Sequence, residues 1–153
     1  KHQSHIRENL EELFPSKSLT VLELGSGNGF LAVCLLALLK DKIESLVVTD
    51  LADHLPLIKQ TLDANHHLPL GKVSLMEHKW GEFSAPKDGE ISLEARINKG
   101  DATFDLIVGS DVAYHSDLYD VLIQSLLAFS DHKTVILLGF TMTDTRPVFF
   151  QKP

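Results

Sequence analysis

Residues 21–29 read VLELGSGNG, an apolar run that ends in three glycines at alternate positions. The run starts at Leu19 and is bounded by Ser18 and Gly25, a pattern typical of a short buried strand. Residues Phe30 to Leu39 are apolar on nearly every side and predict a helix. Glycines between a strand and a helix allow a sharp turn and a close approach of a ligand to the main chain. The stretch therefore predicts a strand, a turn and a helix, with or without a ligand at the turn.

The rest of the chain continues this alternation. Further strands are predicted at Leu46–Thr49, Lys72–Met76, Phe104–Val108 and Thr134–Phe140. Helices are predicted from the spacing of Leu55, Ile58 and Leu62, with Asp53 as cap and Pro56 in the first turn, and of Leu118, Leu122, Leu126 and Phe129. Because the strands are almost continuously apolar, we expect a doubly wound, Rossmann-like α/β fold with a mostly parallel sheet. Ligands of such sheets bind at the carboxyl ends of the strands.

The length of 153 residues suits one domain, which we place over residues 1–153 with its core at 19–150. Residues 4–13 have apolar positions at helical spacing, and Pro15 ends that segment. Residues 82–103 are polar and predict a surface insertion, with a small hairpin around Ile91 and Leu93.

Composition restricts the classes of partner. Fourteen basic and twenty-one acidic side chains give a net charge of −7, which argues against a nucleic-acid backbone as partner. The longest apolar run, Phe30 to Leu39, is too short to cross a bilayer, so no membrane role is expected. The single cysteine, Cys34, fits a reducing compartment, and we expect a cytoplasmic or nuclear protein. The eight histidines show no metal-binding spacing, so no metal is expected.

The glycine turn has two details that bear on its ligand. Phe30 stands where the dinucleotide fingerprint Gly-x-Gly-x-x-Gly needs its last glycine. Glu23, a charged residue at the end of an apolar strand, lies two positions before Gly25. A pyrophosphate gains nothing from a carboxylate, whereas a cofactor with an amino group and a sulfonium does. The turn therefore favours an S-adenosylmethionine type of ligand over NAD.

Two other strand ends carry candidate nucleoside contacts. Asp50 follows the second predicted strand and is suited to accept both ribose hydroxyls, although it equally suits a helix cap. Trp80, the only tryptophan, precedes Gly81 after the third strand. Its ring is suited to lie along an adenine or to be part of the core.

Residues 110–114, SDVAY, follow the fourth predicted strand. Asp111 and Tyr114 would face the crevice opposite the glycine turn. Methyl transfer to an amine is an in-line displacement that requires a neutral nucleophile and close alignment. Asp111 is suited to hold and orient an amine, and Tyr114 to border the methyl channel. Taken alone, Asp111 serves equally well as a helix cap.

Together these residues resemble a known family. The first motif, residues 21–29, is similar to that of the class I, seven-strand methyltransferases. The set made of Thr49-Asp50-Leu51, Trp80-Gly81 and residues 104–114 resembles methyltransferase family 16, whose hallmark is the Asp-x-x-Tyr after the fourth strand. Members of that family mostly methylate lysines of non-histone proteins, and at least one relative modifies histidine.

The resemblance implies a role for each matched residue. It places the methionine part of S-adenosylmethionine on the glycine turn, the ribose on Asp50, the adenine on Trp80 and the target amine at Asp111 and Tyr114. The residues expected to bind the cofactor or its product, S-adenosylhomocysteine, are Glu23, Gly25, Ser26, Gly27, Asn28, Gly29, Asp50, Leu51, Trp80 and Ser110.

The chain departs from the family pattern in three places. Lys79 stands where the family often has an acidic residue, and residues 1–18 offer only Phe14 as an aromatic cover for the cofactor. The family's last two strands would lie beyond Pro153, so the sheet either lacks them or is completed some other way.

The sequence therefore favours a protein-lysine N-methyltransferase that uses S-adenosylmethionine and takes a protein substrate. Three alternatives stay open. The same fold can methylate a protein histidine or a small molecule, or bind the cofactor without catalysis as an interaction module. A nicotinamide-dependent oxidoreductase is the last of them.

Overall fold

The fold is built around a five-stranded parallel sheet. The structure is a computed structural model that describes residues 12–14, 18–83, 93 and 103–139. The strands are β1 (Leu19–Leu24), β2 (Ile43–Asp50), β3 (Val73–Glu77), β4 (Leu106–Ser110) and β5 (Val135–Gly139). Their order is β3-β2-β1-β4-β5, and all four neighbouring pairs are parallel. The predicted α/β class and parallel sheet are confirmed.

Helices and short turns connect the strands. The helices whose two ends both lie within the described residues are α1 (Phe30–Leu39), α2 (Leu55–Ala64) and α3 (Tyr119–Phe129), with 3-10 turns at Leu70–Lys72 and Ser116–Leu118. Each α-helix joins two parallel strands, as a crossover requires. The prediction of a helix over Phe30 to Leu39 is confirmed.

The sheet is covered on both faces because its side chains alternate between them. Val21 and Val48 belong to a core cluster with residues of α1 and α2, whereas Leu22 and Val47 belong to a second cluster with residues of α3. This is the doubly wound arrangement. Helices on both sides exclude water from most of the central strands β1, β2 and β4, which explains why their sequences read as nearly continuous apolar runs.

Several predicted boundaries were wrong. β2 starts at Ile43 rather than Leu46. The prediction missed its first three residues because the polar residues Glu44 and Ser45 interrupt the apolar pattern. β4 starts at Leu106, two residues later than predicted, since Phe104 is buried ahead of the strand. β3 and β5 begin within one residue of their predicted starts. Phe140, predicted to close β5, lies outside the described residues.

Two other predictions need correction. Asp53 does not cap α2, because His54 occupies the N-cap and no side chain caps the helix, although Pro56 lies in the first turn as predicted. Leu93 is helical and only 2% exposed, so the predicted surface hairpin is wrong at this residue. The physical reason is that the apolar side chain of Leu93 belongs to the core cluster that contains residues of α3. Residues 84–92 and 94–102 of the predicted insertion lie outside the described residues, as does most of the predicted helix at 4–13.

The strand order creates a crevice. From β1 the chain moves outward through β2 and β3, then returns to the other side of β1 with β4 and β5. The loops after β1 and β4 therefore leave the sheet in opposite directions, which opens a space between their carboxyl ends. The glycine turn follows β1 and residues 111–114 follow β4, so the two predicted motifs border the same crevice.

Candidate functional site

The glycine turn has a backbone that only glycine adopts without strain. Gly25, Gly27 and Gly29 have φ angles of 66°, 64° and 82°. In this left-handed region a Cβ atom would crowd the following carbonyl. The turn is closed by hydrogen bonds from Ser26 N to Thr49 O at 3.0 Å and from Gly29 N to Ser26 O at 3.2 Å. It delivers the chain to the N-terminus of α1, where Asn28 Oδ1 accepts a hydrogen bond from Phe30 N.

Glu23 is buried under this turn, with 1% of its surface exposed. Burial raises the pKa of its carboxyl from 4.5 to about 7; the neighbouring Ser26 hydroxyl lowers the pKa and the Asp50 carboxylate raises it. Glu23 Oε2 and Ser26 Oγ have no hydrogen-bond partner of good geometry within the described part of the chain. The Ser26 hydroxyl thus lies close enough to affect the charge without satisfying it. A buried acceptor without a partner fits a cationic ligand such as an ammonium.

Asp50 joins the ends of β1 and β2. Its Oδ2 accepts a hydrogen bond from Gly27 N at 2.6 Å, and its Oδ1 accepts one from Leu51 N at 2.7 Å. The Oδ1 atom also lies 2.8 Å from Nδ1 of His54. These contacts fix the carboxylate at the crevice edge and leave it further lone pairs for a ligand. His54 is a site residue that sequence reasoning missed; its only signal is the i, i+4 spacing from Asp50.

Trp80 lies against the glycine turn. A Cβ built on Gly25 would be 2.9 Å from Cζ2 of the indole, so only glycine leaves room for this contact. The ring is half-buried and also packs on the core cluster that contains residues of α3. The core interpretation of Trp80 is therefore confirmed in part, and the adenine contact stays a prediction. Lys79, where the family often has an acid, is exposed and pairs with the carboxylate of Glu82.

The turn after β4 begins at a residue with an unusual backbone conformation and is hydrogen-bonded to the end of β5. Asp111 has a φ of 59°, the one positive value at a non-glycine position among the described residues. Its backbone N donates to Gly139 O at 2.7 Å. Such a conformation in a non-glycine residue is strained, and strain of this kind collects at functional turns. Ser110 ends β4 beside Gly139 and is exposed.

Val112 was missed by sequence reasoning. It is buried, and its methyl groups lie 3.0 Å from the Cβ positions of both Gly25 and Gly109. Val112 therefore couples the turn after β4 to the turn after β1. The signal for it is the lack of side chains at Gly25 and Gly109, which is readable only once the two strands are known to be neighbours.

Tyr114 lies on the outer part of this turn, with 64% of its surface exposed. Its ring meets that of His115 edge to face, with centroids 5.7 Å apart. Tyr119, five residues later, donates an exposed hydrogen bond from its hydroxyl to Ala113 O at 3.3 Å. The phenol of Tyr114 is therefore accessible from solvent.

The arrangement suits a nucleoside cofactor with a positive charge at its other end. Asp50 and the half-buried Trp80 offer a ribose and an adenine contact, and the buried carboxylate of Glu23 offers a cation contact under the glycines. Among the described residues no group of His, Cys, Asp or Glu has the geometry of a metal site. Within residues 12–14, 18–83, 93 and 103–139, no helix has the length and apolarity of a membrane span.

Comparisons with known proteins identify the family and the fold. A family model described as "Lysine methyltransferase" matches residues 3–152. The chain is 30% identical, over 126 residues, to the protein N-lysine methyltransferase METTL21A of Danio rerio. That match includes 80% of this chain and 50% of the relative, so the chain spans about half the length of the curated relative it matches.

Solved structures show the same fold at low sequence identity. A SAM-dependent methyltransferase from Aquifex aeolicus has a TM-score of 0.61 and 13% identity, with 96% of this chain and 68% of that chain covered. The methyltransferase domain of bacterial CtHen1-C has a TM-score of 0.56 and 17% identity, with 84% and 58% covered. By its family match and its fold, the chain belongs to the lysine methyltransferase family, methyltransferase family 16, of the class I S-adenosylmethionine-dependent methyltransferases.

Proposed function

We propose that this chain transfers a methyl group from S-adenosylmethionine to the side-chain amine of a lysine in a protein substrate. The observation that carries the proposal is the contact of Val112 with Gly25. It joins the Asp111 turn directly to the glycine turn at the crevice between β1 and β4. A cofactor site and a nucleophile site are thereby adjacent, as a displacement reaction requires.

The cofactor side of the crevice is proposed to work through five residues. Glu23, ionised, binds the ammonium group of the methionine part, and Gly25 and Gly27 let the main chain approach it. Asp50 accepts hydrogen bonds from the ribose hydroxyls, and Trp80 covers the adenine. The other expected contacts are Ser26, Asn28, Gly29, Leu51 and Ser110. When bound, the cofactor supplies an electrophilic methyl group on a sulfonium sulfur.

The substrate side works through Asp111 and Tyr114. The carboxylate of Asp111 accepts a hydrogen bond from the neutral lysine amine and aligns its lone pair with the methyl carbon. Tyr114 borders the path of the side chain, and its 64% exposure leaves it accessible to a protein surface. The net charge of −7 favours the approach of a basic segment. We place this activity in the cytoplasm or nucleus.

The test is labelling of a cell extract with radioactive S-adenosylmethionine, followed by mass spectrometry of the labelled protein. A methyl group on a lysine is expected. We expect Asp111→Ala to lower the rate of labelling at least tenfold, since a group that holds the proton of a reacting atom typically contributes about 100-fold or more. Tyr114→Ala, which removes the ring that borders the path, is expected to lower the rate as well. Label on a histidine or on a small molecule would instead support the alternative substrates.

Two variants in the segment that follows Tyr114 serve as controls. Asp117→Ala removes an exposed carboxylate, and Tyr119→Phe removes a phenol hydroxyl whose described partner is the Ala113 carbonyl. Both are expected to keep most of the activity. If the Asp111 and Tyr114 variants label the substrate as well as these controls do, the two residues do not serve the amine. If the chain binds S-adenosylhomocysteine but labels nothing, the non-catalytic alternative is correct.

A further inference from the structure

The turn that carries Trp80 is fastened to α3 by one buried hydroxyl. Ser125 Oγ lies 3.0 Å from Nε2 of His78 and accepts a hydrogen bond from the backbone N of Gly81, also at 3.0 Å. We call these three residues, His78, Gly81 and Ser125, the Ser125 clamp. Ser125 is fully buried, so both bonds are shielded from water.

The turn also sits directly on the helix. Gly81 has a φ of 78°, and a Cβ built on it would lie 2.9 Å from Cγ1 of Val121, one turn before Ser125. The backbone of the turn therefore touches α3 with no side chain between them. A glycine is required here both for its conformation and for its closeness to the helix.

His78 ties the clamp to the sheet and the core. Its backbone N donates to Asp50 O at 2.9 Å, which continues the contact between β2 and β3. Its ring is buried and meets the rings of Phe129 and Phe83, with centroids 5.0 and 6.0 Å away. The imidazole is therefore a rigid partner for Ser125 rather than a mobile surface group.

Trp80 lies between two of the clamp residues in the chain. With His78 and Gly81 fixed to Ser125, the indole has little freedom and is held over Gly25. A clamp on α3 thus determines the position of a side chain at the glycine turn.

We infer that Ser125 is a positioning residue for the cofactor, acting through the Ser125 clamp to hold Trp80 at the adenine site. The inference rests on the proposed function, which assigns Trp80 to the adenine. Packing alone does not require a hydroxyl here, because the buried residues around it on α3, Leu122, Leu126 and Phe129, are apolar. Within the described residues, both hydrogen bonds of Ser125 Oγ go to the Trp80 turn.

The single tryptophan of the chain makes the inference measurable. In Ser125→Ala we expect acrylamide to quench Trp80 fluorescence more strongly than in the wild type. We expect the Kd for S-adenosylhomocysteine, measured by calorimetry, to rise about fivefold, the factor that corresponds to one net hydrogen bond. S-adenosylhomocysteine is expected to protect Trp80 from acrylamide in the wild type.

Thr134→Val is the matched control. The Thr134 hydroxyl donates to Phe104 O at 2.7 Å and accepts from Asp131 N at 2.9 Å, so it joins two distant groups as the Ser125 hydroxyl does, although here both are backbone groups. It precedes β5, at the amino end of the sheet, far from the Trp80 turn in the topology. Its loss is expected to lower the melting temperature while quenching and Kd stay at the wild-type values.

Three outcomes overturn the inference. If quenching and Kd in folded Ser125→Ala match those of Thr134→Val, Ser125 is only structural. If S-adenosylhomocysteine binds the wild type without protecting Trp80, the assignment of Trp80 to the adenine is wrong. The role of Ser125 in cofactor binding is then wrong with it. Should Ser125→Ala not fold, His78→Leu replaces it as the test variant. His78→Gln is then the conservative variant, because its side-chain amide can replace Nε2 in the contact with Ser125. Equal Kd values for these two would overturn the inference, whereas rescue by glutamine would support it.

Discussion

Glu23 combines two properties that rarely occur together, a charged side chain and almost complete burial at the end of a core strand. The pKa of its carboxyl is raised to about 7, mainly because burial disfavours the charged form. The folded protein therefore binds this proton more tightly than the unfolded chain does. Between pH 4.5 and pH 7, rising pH removes stability, and a shift of this size corresponds to roughly 3 kcal/mol.

Glu23→Gln tests both consequences of this charge. The variant is expected to be more stable than the wild type at pH 8 and to lose that advantage at pH 5, where the wild-type carboxyl is protonated. Urea unfolding at both pH values measures this. Because the ionised carboxylate attracts an ammonium, the affinity of the wild type for S-adenosylhomocysteine is expected to increase from pH 6 to pH 7.5. In the variant it is expected to be weak at both values.

Glu44→Gln is the control for that experiment. Glu44 is exposed near the amino end of β2, so its replacement removes one carboxylate, as Glu23→Gln does at pH 8, without touching the crevice. Its stability and binding are expected to follow the wild type at each pH. If the wild-type affinity does not change with pH while the stability does, Glu23 is buried for structural reasons and does not bind the cofactor.

At the scale of elements, glycine is required in the glycine turn for two different reasons, the backbone conformation and the lack of space for a side chain. Gly25 and Gly27 share the left-handed conformation, but only a Cβ at Gly25 would meet other atoms, those of Trp80 and Val112. Gly27→Ala is expected to reduce the free energy of unfolding by about 1–2 kcal/mol from backbone strain alone. Gly25→Ala adds steric overlap and is expected to reduce it by about 1–3 kcal/mol more.

Urea unfolding of the cofactor-free protein compares the two glycine variants. Trp80 fluorescence is expected to change in Gly25→Ala and to stay as in the wild type in Gly27→Ala, since the indole touches only the first position. Equal destabilisation and equal emission in both variants would contradict the packing of the turn after β3 against the turn after β1.

At the scale of the whole molecule, charge decides which polymers can approach. The chain carries fourteen basic and twenty-one acidic side chains, and a duplex brings two phosphates with every base pair. We therefore expect no saturable binding of a fluorescent DNA duplex or RNA hairpin at about 0.15 M salt, measured by anisotropy up to micromolar protein. Binding that weakens steeply with salt would reveal a cationic surface that the net charge conceals.

The sequence by itself determined the order of strands and helices, the class of the sheet and the residues at its carboxyl ends. These follow from local properties: apolar periodicity identifies buried strands, and the parallel topology places the residue after each strand at one edge. Glu23, Asp50, Trp80 and Asp111 were all found in this way. Strand limits were less accurate where polar residues such as Glu44 interrupt the apolar pattern.

Only the tertiary structure decided which of these ends touch. The strand order β3-β2-β1-β4-β5 brings Val112 to Gly25 and sets the Trp80 turn on Ser125, 44 residues after Gly81. Such contacts depend on packing between distant segments, which leaves no local period in the sequence. The raised pKa of Glu23 has the same origin. It is set mainly by burial among residues that the fold packs around the carboxyl, rather than by its neighbours in the chain.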